Sequence, residues 1–566
     1  MVRLLLAAAL LRTSAGALQP SNLRVHGLTE REALGIDDPA PMLSWAFELS
    51  GAVDERGQAA PATTLEVHES PSNDAPLLWS QSITEGAAMA LRYAGPELRG
   101  ATRYHWTICT AQQACAESSF LTAPKGWHGA EWIAGRQLRS PVLDVTKTVK
   151  SATVAVTGLG SYELHLNGEK VGDAELDPGF STNYTERVLY AVHDVTKAVA
   201  AAGKKGLVLG ARVGAGKYSM SVSHSNTITA DSVFALLVNL EVTYSDGSSS
   251  SLVSSEKWKT SQTPFVTEHI YHGETYDARL ELSGWDQLEY SPPPANWSTA
   301  KVITPLLGPD VVLSPRLFPP IRVVKIVRPI NVTQLLGHES PAPPARPTPP
   351  CPSNWFQSGD ICKQMCPSSV QGRDHTGRCQ CGKAPPNKAC YDGAGFTCEN
   401  GVCIIPTDSN VSSSWLYDLG NNYAGVPRIT LPAGVAAGTK MTIAVTEYTA
   451  EAEVPGRGTS YGQQDQYIFS GKEKAGDVYR PTFIYHGFRY IRLDDYPGTA
   501  AEAATAVEGL FMHSDVAPHG NVTIGESTAE GKILAAVHAS VVQTQACNIY
   551  SVPTDCPQRE KRGCEC

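Results

Sequence analysis

The sequence predicts a protein that is mainly β and built from several domains. Its 566 residues are too many for one hydrophobic core. Apolar and polar residues alternate with a period of two along most of the chain, which is typical of half-buried strands. Long stretches of helical periodicity are almost absent before residue 525. Antiparallel sandwiches are therefore the expected architecture.

The composition is that of an ordinary soluble globular protein. Hydrophobic residues make up 42% of the chain and the formal net charge is −10. This mild acidity gives no electrostatic reason to expect nucleic acid or an anionic membrane as a partner. No apolar run approaches the roughly 20 residues that a membrane-spanning helix needs, so we expect neither partner.

The N-terminus has the pattern of a secretory signal peptide. Arg3 precedes an apolar run from Leu4 to Leu11, and small residues then end at Ala17. This pattern predicts that residues 1–17 are removed and that the protein is secreted. Five N-glycosylation sequons favour a secreted glycoprotein; they begin at Asn183, Asn296, Asn331, Asn410 and Asn521.

The first predicted domain, residues 18–125, has the length and pattern of a small fibronectin-like sandwich. Short apolar segments surround Trp45 and recur in "RYHWTICTAQQAC". Cys109 and Cys115 lie close enough in sequence to close a short loop, and dense cysteines in an exported chain usually form disulfides.

The second predicted domain, residues 126–310, has enough closely spaced strands for a jelly roll. The strand in "SYELHLNGEKVG" ends at Asn167-Gly168, a pair that suits a tight hairpin turn. A later strand in "VNLEVTYSDGSSSSLV" leads into the turn pair Asp246-Gly247. Both turns predict antiparallel hairpins.

The third predicted domain, residues 311–515, is a β-sandwich interrupted by an insertion at 340–404. The insertion begins with the proline-rich stretch "SPAPPARPTPP", which predicts an extended spacer. Its eight cysteines are Cys351, Cys362, Cys366, Cys379, Cys381, Cys390, Cys398 and Cys403. The even number favours four disulfides of undetermined pairing. A zinc site is the alternative, but no CxxC pair or spaced histidine pair is present.

The last predicted region, residues 516–566, begins an α-helical unit. Ser527 and Glu530 have the spacing of a capping box. Apolar residues follow on one helical face; they are Ile533, Leu534, Val537, Val541 and Val542. If this face has no partner it is exposed, and deleting residues 526–566 is then expected to improve solubility.

Several motifs follow one another in a specific order. They are "HLNGEKVGDAELDPGF", "IYHGETYDARLELSGWD", "LYDLGNNYAGV", "FIYHGFRYIRL" and "SVPTDCPQREKRG". This succession resembles the bacterial-type α-L-rhamnosidases of glycoside hydrolase family 78, over roughly Pro20 to Gly563 apart from the cysteine-rich insertion. The resemblance implies that 311–515 is a concanavalin-like sandwich and that 516–566 begins an (α/α)6 catalytic barrel.

The resemblance implies an inverting hydrolase that releases terminal α-L-rhamnose from glycosides. Inversion uses one carboxylic acid to protonate the leaving oxygen and a second carboxylate, about 6.5–9.5 Å away, to activate water. The family motif implies Glu560 as the general acid and Asp555 and Arg559 as substrate-binding residues. Without the family pattern, these residues read as a charged, solvated loop.

The resemblance ends abruptly after Gly563. The family continues with Trp, a variable residue, Gly and Asp, whereas this chain has Cys564, Glu565 and Cys566. The general base lies far downstream in the family and is absent from these residues. We therefore expect the chain to be truncated at the start of the catalytic domain, through a shortened gene model or as a genuine short form. The polypeptide as written is expected to be inactive.

The predicted jelly roll resembles the calcium-dependent rhamnose-binding module of this family. Calcium coordinates oxygen ligands, and sugar hydroxyls can complete its shell. The resemblance implies Asp177, Asn183 and Asn226 as calcium or rhamnose ligands, although turn Asp and Asn residues often bond to local backbone instead. A glycan on the sequon at Asn183 would obstruct such a site. No cofactor is expected for catalysis.

Two other motifs are interpreted structurally. Glu274, Asp277 and Arg279 of "GETYDAR" predict a polar network that docks the jelly roll against its neighbours, with catalysis as the alternative. Arg489 of "HGFRY" predicts a structural ion pair.

Three functions remain open from the sequence. The first is an α-L-rhamnosidase acting on L-rhamnose-containing glycosides or polysaccharides. The second is a secreted, calcium-dependent rhamnose-binding or carbohydrate-binding protein. The third is a structural glycoprotein without a ligand. The retained Asp555 and Glu560 favour the first.

Overall fold

The computed structural model describes most of the chain outside the insertion. The described residues are 18–49, 59–70, 76–335, 414–447 and 464–554, apart from gaps at 88, 182, 219–233, 271, 294, 306, 518–519 and 521. Four short strands are also described between residues 355 and 404. The predicted signal peptide lies outside the described residues, and the cysteine side chains of the insertion, with their predicted disulfides, also lie outside what is described.

The first domain is a two-sheet sandwich, as predicted. Its strands are β1 (Leu18–Val25), β2 (Leu34–Ile36), β3 (Met42–Leu49), β4 (Thr63–His68), β5 (Leu77–Ile83), β6 (Ala90–Arg92), β7 (Arg103–Thr110) and β8 (Cys115–Thr122). The sheets have the strand orders β1-β3-β6 and β2-β8-β7-β4-β5. Trp45 and Trp106 are buried in the core between them. A disulfide joins Cys109 to Cys115, which confirms the predicted short loop.

The second domain comprises two larger sheets that enclose one core. Its elements are β9 (Ile133–Ala134), β10 (Gln137–Arg139), β11 (Val149–Gly158), β12 (Ser161–Leu166), β13 (Glu169–Lys170), β14 (Arg187–Asp194), α1 (Thr196–Ala202), a 3-10 turn (Gly203–Lys205), β15 (Leu209–Gly214), β16 (Ala235–Tyr244), β17 (Ser249–Val253) and β18 (Lys259–Ser261). Then follow β19 (Phe265–His269), β20 (Gly273–Asp277), a 3-10 turn (Ala278–Leu280), β21 (Trp297–Thr299), β22 (Lys301–Val302) and β23 (Val312–Pro315).

The strand orders within this domain are β13-β12-β15-β10-β18-β21 and β22-β9-β16-β11-β14-β23, with β17 on β16. Leu164 from one sheet and Leu240 from the other are buried in the shared core. Asn167 and Gly168 have φ values of 50° and 90°, as a tight hairpin turn requires. Gly247 has a φ of 83° between β16 and β17, so both predicted hairpins are confirmed.

The third domain is built on a ten-stranded sheet. Its elements are β24 (Ile321–Val327), β25 (Asn331–Leu335), then β26 (Trp355–Ser358), β27 (Ile361–Gln364), β28 (Thr397–Glu399) and β29 (Val402–Ile404) of the insertion, and β30 (Ser414–Thr430), β31 (Lys440–Thr446), β32 (Gln464–Ile468), β33 (Val478–Tyr479), β34 (His486–Asp494), α2 (Ala500–Ala503) and β35 (Val507–Ser514). The order is β19-β20-β32-β31-β34-β30-β35-β24, with β25 and β33 on β30.

Strand exchange joins the second and third domains. Residues 265–277, assigned from sequence to the jelly roll, form β19 and β20, and β20 pairs in parallel with β32 of the third sheet. Conversely, residues 312–315 form β23 and pair in parallel with β14 of the second domain. The sequence boundary at 310/311 therefore does not separate the two sheets, because each contributes strands to the other.

The C-terminal helix α3 (Ala529–Cys547) forms where the sequence predicts it and is followed by β36 (Ile549–Tyr550) and β37 (Val552–Pro553). The predicted capping box of Ser527 and Glu530 is wrong, because the helix begins one residue later. Thr528 is the N-cap and its side chain accepts a hydrogen bond from the Gly531 amide. Among the described residues, no helix combines the length and the apolar character needed to cross a bilayer.

The predicted apolar face of α3 is exposed. Relative exposures are 63% for Ile533, 54% for Val537 and 60% for Val541. Cys547 and Tyr550 are buried in the third-domain core, and Gln543 donates a hydrogen bond to the Asn422 carbonyl. Deletion of 526–566 would therefore remove buried side chains as well as exposed ones, so the solubility prediction is better tested by point substitutions.

We expect Ile533→Gln, Val537→Gln and Val541→Gln together to reduce aggregation and the binding of a hydrophobic dye. Stability should change by no more than about 0.5 kcal/mol for each, because these side chains are exposed. Light scattering and dye fluorescence measure the first effect, and thermal unfolding measures the second. Ala539→Gln on the same helix is the control and should leave dye binding unchanged. A large drop in unfolding temperature would contradict the exposure of this face.

Candidate functional site

Of the six site residues that the sequence predicts, Asp177 and Asn183 are described. Asp555, Arg559, Glu560 and Asn226 lie outside the described residues. The segment that leads directly into Asp555 is described as far as Thr554. We call residues 549–554 the docked segment, because a ring contact and hydrogen bonds hold it on the β domains.

The docked segment is held by contacts with both large β domains. Tyr550 is fully buried and stacks on Tyr485, with ring centroids 4.1 Å apart and an interplanar angle of 17°. The amide of Ser551 donates to the Ser514 hydroxyl at 2.7 Å. The amide of Phe180 donates to the Ser551 hydroxyl at 2.7 Å. The docked segment therefore lies where the loop between β13 and β14, which we call the jelly-roll loop, meets β35 and α3.

Gly179 permits the close approach of the jelly-roll loop to this segment. Its φ is +94°, and a Cβ atom placed there would lie 2.8 Å from the Ser551 Cβ. Both a left-handed backbone and a close contact therefore favour glycine at this position.

Gly179→Ala is expected to destabilise the protein by about 2–3 kcal/mol and to loosen the docked segment. The backbone conformation accounts for about 1 kcal/mol and the contact with Ser551 for the rest. The matched control is Gly434→Ala, because Gly434 has a φ of +73° with open space around it. Thermal unfolding and limited proteolysis after Cys547 provide the measurements. Equal effects of the two substitutions would show that the close contact contributes nothing.

Asp177 lies beside the docked segment and is engaged by protein groups. The Tyr162 hydroxyl donates to Asp177 Oδ2 at 2.9 Å, and Arg316 binds Oδ1. His193 Nε2 lies 3.3 Å from Oδ2. The Asp177 and Arg316 side chains are only 6% and 10% exposed. These four residues, Tyr162, Asp177, His193 and Arg316, form what we call the Asp177 cluster.

The protonation states in the Asp177 cluster follow from its burial. Burial lowers the pKa of His193 to about 4, so the imidazole is neutral near pH 7. Burial lowers the pKa of Arg316 to about 10, which leaves the guanidinium protonated. The cluster therefore pairs a carboxylate with an arginine, the arrangement expected for a buried charge.

This arrangement does not fit Asp177 as a calcium ligand. Both of its oxygens accept hydrogen bonds from protein groups, and a guanidinium occupies the position where a cation would bind. Asn183 lies at an exposed turn, and its Oδ1 accepts from the Thr185 amide and hydroxyl at 3.0 and 2.7 Å. No group of three or more His, Cys, Asp or Glu side chains in the described part of the chain could hold a metal ion. A calcium site that uses Asn183 and Asn226 stays a prediction.

A second set of ion pairs joins all three β domains near the Asp177 cluster. Arg322 donates from Nε to Asp173 at 2.9 Å and from Nη1 to Asp515 at 3.1 Å. Arg31 of the first domain also binds Asp173. Through this set, the first domain, the jelly-roll loop and the end of β35 are connected. No sequence motif indicates these pairs, because their members are separated by more than a hundred positions.

Glu274 docks the jelly roll against the third domain, as predicted. Glu274 is 1% exposed, and its carboxyl group accepts hydrogen bonds from the Tyr479 hydroxyl at 3.0 Å and the Thr482 amide at 3.1 Å. The Glu274 amide donates to Asp465 at 2.9 Å. Asp277 and Arg279 do not join this network, because they form a local pair around a 3-10 turn.

Burial raises the pKa of Glu274 to about 8. Burial also raises the pKa of Glu268 to about 7, where the carboxylate accepts from the Ala215 amide at 2.7 Å and lies 3.4 Å from Arg136. The sequence did not indicate Glu268 or Asp465, because neither belongs to a recognisable spacing pattern. Raised carboxyl pKa values occur at many functional sites, but here both groups hold β19 and β20 at the domain junction.

The predicted structural pair of Arg489 is confirmed. Its guanidinium binds both carboxylate oxygens of Asp418 at 2.8 Å. This bidentate pair connects β34 to β30, so Arg489 stabilises the sheet.

Comparison with protein families gives three matches in the order of the domains. Residues 20–127 match the model described as "Rha78A-like, N-terminal immunoglobulin domain". Residues 147–325 match "Alpha-L-rhamnosidase N-terminal domain". Residues 409–513 match "Bacterial alpha-L-rhamnosidase concanavalin-like domain". The first and third matches agree with the predicted N-terminal sandwich and the predicted concanavalin-like sandwich.

Curated relatives carry the name α-L-rhamnosidase. One from Formosa agariphila is 24% identical over 94% of this chain and 51% of its own length. One from Streptomyces avermitilis is 27% identical over 76% of this chain and 33% of its own length. The chain thus spans about half, or less, of the length of the curated relatives it matches.

Solved structures share the fold of the chain. The α-L-rhamnosidase of Dictyoglumus thermophilum has a TM-score of 0.69 at 24% identity, covering 95% of this chain and 53% of that one. The native enzyme of Aspergillus terreus has a TM-score of 0.67, also at 24% identity, covering 96% and 54%. The Streptomyces avermitilis enzyme, solved in complex with L-rhamnose, has a TM-score of 0.65 at 19% identity, covering 96% and 62%.

Proposed function

The chain belongs to the bacterial-type α-L-rhamnosidases, and from this premise we propose that it acts in the hydrolysis of terminal α-L-rhamnose from glycosides. The observation that carries the proposal is the order of the three matched domains, which ends in a docked segment leading directly into "DCPQREKRG". The partners are then L-rhamnose-containing glycosides or polysaccharides.

We propose Glu560 as the general acid of an inverting reaction. A protonated Glu560 carboxyl would donate its proton to the departing glycosidic oxygen, while a second carboxylate removes a proton from the attacking water. Asp555 and Arg559 would bind sugar hydroxyls beside it. The contacts of the buried Tyr550 and the half-buried Ser551 support this assignment, because a fixed segment limits the positions that the following residues can reach.

The native protein provides the direct test. We expect protein captured from its source with an antibody against residues 18–335 to release the aglycone from an aryl α-L-rhamnoside. The first sugar product should be the β anomer, which proton NMR detects before mutarotation. An irrelevant antibody is the control. Captured protein without this activity would contradict the proposal.

The polypeptide of residues 18–566 provides a test of the assignment of Glu560. Inversion requires two carboxylates, and only Glu560 is assigned among these residues. If release is seen, Glu560→Gln should lower it by at least about 100-fold. Release that Glu560→Gln leaves unchanged would contradict the assignment of the general acid.

We also propose that the protein is exported and glycosylated. Residues 1–17 have the signal-peptide pattern, and the sequon asparagines Asn183, Asn296 and Asn331 are exposed. N-terminal sequencing of the native protein should begin at Leu18. Enzymatic removal of N-glycans should lower its mass, and an unchanged mass would contradict glycosylation.

A further inference from the structure

Two adjoining clefts run along one edge of the second domain. The edge strand β21 of the six-stranded sheet contributes Trp297, which lines both clefts. One cleft has a volume of about 920 Å³ and reaches Arg136 and Phe265. The other has a volume of about 560 Å³ and reaches Lys259 and Tyr290. Both volumes lie in the range of ligand-binding clefts, and we call the pair the Trp297 groove.

Aromatic side chains form the centre of the groove. The Trp297 indole is largely buried, and its Nε1 donates to the Tyr290 hydroxyl at 3.1 Å. The two rings are 6.1 Å apart in an edge-to-face arrangement. This contact fixes the position of the half-buried Tyr290 ring, which forms an apolar wall of the groove. Such a wall suits a ligand with apolar faces and polar edges.

The groove is basic although the chain carries a net charge of −10. Five cationic side chains line it; they are Arg136, Arg139, Lys257, Lys259 and Arg279. Glu289 is the one acidic residue among the lining residues.

The lysines supply the accessible positive charge of the groove. Arg279 is neutralised by Asp277, and Arg139 donates to backbone carbonyls of Trp285 and Tyr290. Lys257 and Lys259 are exposed and form no ion pair with a described residue. The groove therefore favours an anionic ligand at these two positions.

The wall of the larger cleft is polar. Short polar side chains line the same cleft; they are Thr260, Ser261, Gln262 and Ser298. Hydroxyl and amide groups can both donate and accept, which suits a ligand rich in hydroxyl groups.

We propose that the Trp297 groove binds an acidic oligosaccharide containing uronic acid residues. Its carboxylates lie against Lys257 and Lys259, one sugar face lies against Tyr290, and its hydroxyls bond to the polar wall of the larger cleft. A nucleic acid would need a longer row of cations for its phosphates, and the hydroxyl-rich wall favours a saccharide. The proposal is argued from residues between Arg136 and Ser298 and does not use Glu560, so it does not depend on the hydrolytic one.

Calorimetric titration of the full chain with tetragalacturonate tests the proposal. The protein is produced without N-glycans, because the sequon residue Asn296 also lines the groove. Lys257→Ala with Lys259→Ala is expected to weaken binding about tenfold. Lys472→Ala with Lys474→Ala is the matched control, since these exposed lysines have the same spacing and line neither cleft. The control should bind as the unchanged protein does.

Two further ligands complete the design. A neutral tetrasaccharide should bind at least about tenfold more weakly than tetragalacturonate, and added salt should weaken only the binding of the acidic one. A single-stranded oligonucleotide of similar charge should also bind weakly. The proposal is overturned if tetragalacturonate does not bind or if the neutral sugar binds equally well. It is also overturned if the oligonucleotide binds more tightly, or if the two lysine variants lose the same amount of affinity.

Discussion

Arg316→Ala is expected to lower the free energy of unfolding by about 3–5 kcal/mol, because it leaves the buried Asp177 carboxylate without its counter-charge. Arg316 is 10% exposed and Asp177 6% exposed. Water therefore cannot replace the guanidinium without opening the junction. The Tyr162 hydroxyl and neutral His193 remain near the carboxylate, but neither carries a positive charge.

Thermal and urea unfolding of the variant provide the measurement. Arg328→Ala is the matched control, because Arg328 pairs with Glu508 while 84% of its side chain is exposed; its loss should be below about 1 kcal/mol. The double variant Arg316→Met with Asp177→Asn should recover part of the loss, because it removes the uncompensated charge. Equal losses for Arg316→Ala and Arg328→Ala would show that the Asp177 cluster is solvated.

The loss at Arg316 should extend to the docked segment. Asp177 and Phe180 lie in the same jelly-roll loop, and the Phe180 amide bonds to Ser551. We therefore expect residues 549–554 to exchange their amide hydrogens faster in Arg316→Ala than in Arg328→Ala. Equal amide exchange rates in the two variants would show that loss of the Asp177 cluster does not loosen the docked segment.

Raising the pH from 5 to 9 is expected to destabilise the junction between the second and third domains. The pKa of Glu268 is about 7 and that of Glu274 about 8 in the folded protein, both above the ordinary value of 4.5. The fold thus favours the protonated forms, and this contribution is fully present below pH 4.5. It decreases as the pH rises above 4.5 and is lost once the pH has passed about 7 for Glu268 and about 8 for Glu274, by on the order of 3 and 5 kcal/mol.

The charged groups around these carboxyls act in different directions. Arg136 beside Glu268 lowers its pKa, whereas Asp465 and Glu268 raise the pKa of Glu274. Hydrogen bonds from the Tyr479 hydroxyl and the Thr482 amide favour the ionised form of Glu274, and burial outweighs them. Burial is therefore the main cause of the raised pKa values, and the variants must remove the buried carboxyl group without changing the packing.

Glu274→Gln and Glu268→Gln should each flatten the fall of the unfolding temperature between pH 5 and 9. Glutamine keeps the size of the side chain and has no charge to bury. Glu256→Gln at an exposed position is the control and should leave the pH profile unchanged. If the unfolding temperature falls as steeply with pH in these two variants as in the unchanged protein, Glu268 and Glu274 are not the cause of the fall.

Much of the local structure could be predicted from the sequence. The hairpin at Asn167-Gly168 and the disulfide between Cys109 and Cys115 both formed as expected. The docking role of Glu274 agrees with the prediction from its motif. Such predictions succeed because turn conformation, short loop closure and the spacing of apolar residues depend on neighbours in the chain.

The helix shows where local reasoning becomes less accurate. Its apolar positions and approximate bounds were predicted, yet the N-cap is Thr528 rather than Ser527. Ser, Thr and Asp have similar capping strength, so the sequence cannot distinguish adjacent candidates. Whether the apolar face is covered depends on other segments, and in the described structure Ile533 and Val541 are exposed.

The sequence determined the class of fold, the order of the domains and the family, because these depend on local periodicity and on ordered motifs. The tertiary structure alone decided that Arg316 neutralises Asp177 across 139 positions and that β20 pairs with β32 of the next domain. Burial and charge pairing arise when distant segments pack together. A carboxylate that reads as a loop ligand in sequence thus became a buried structural group in the folded protein.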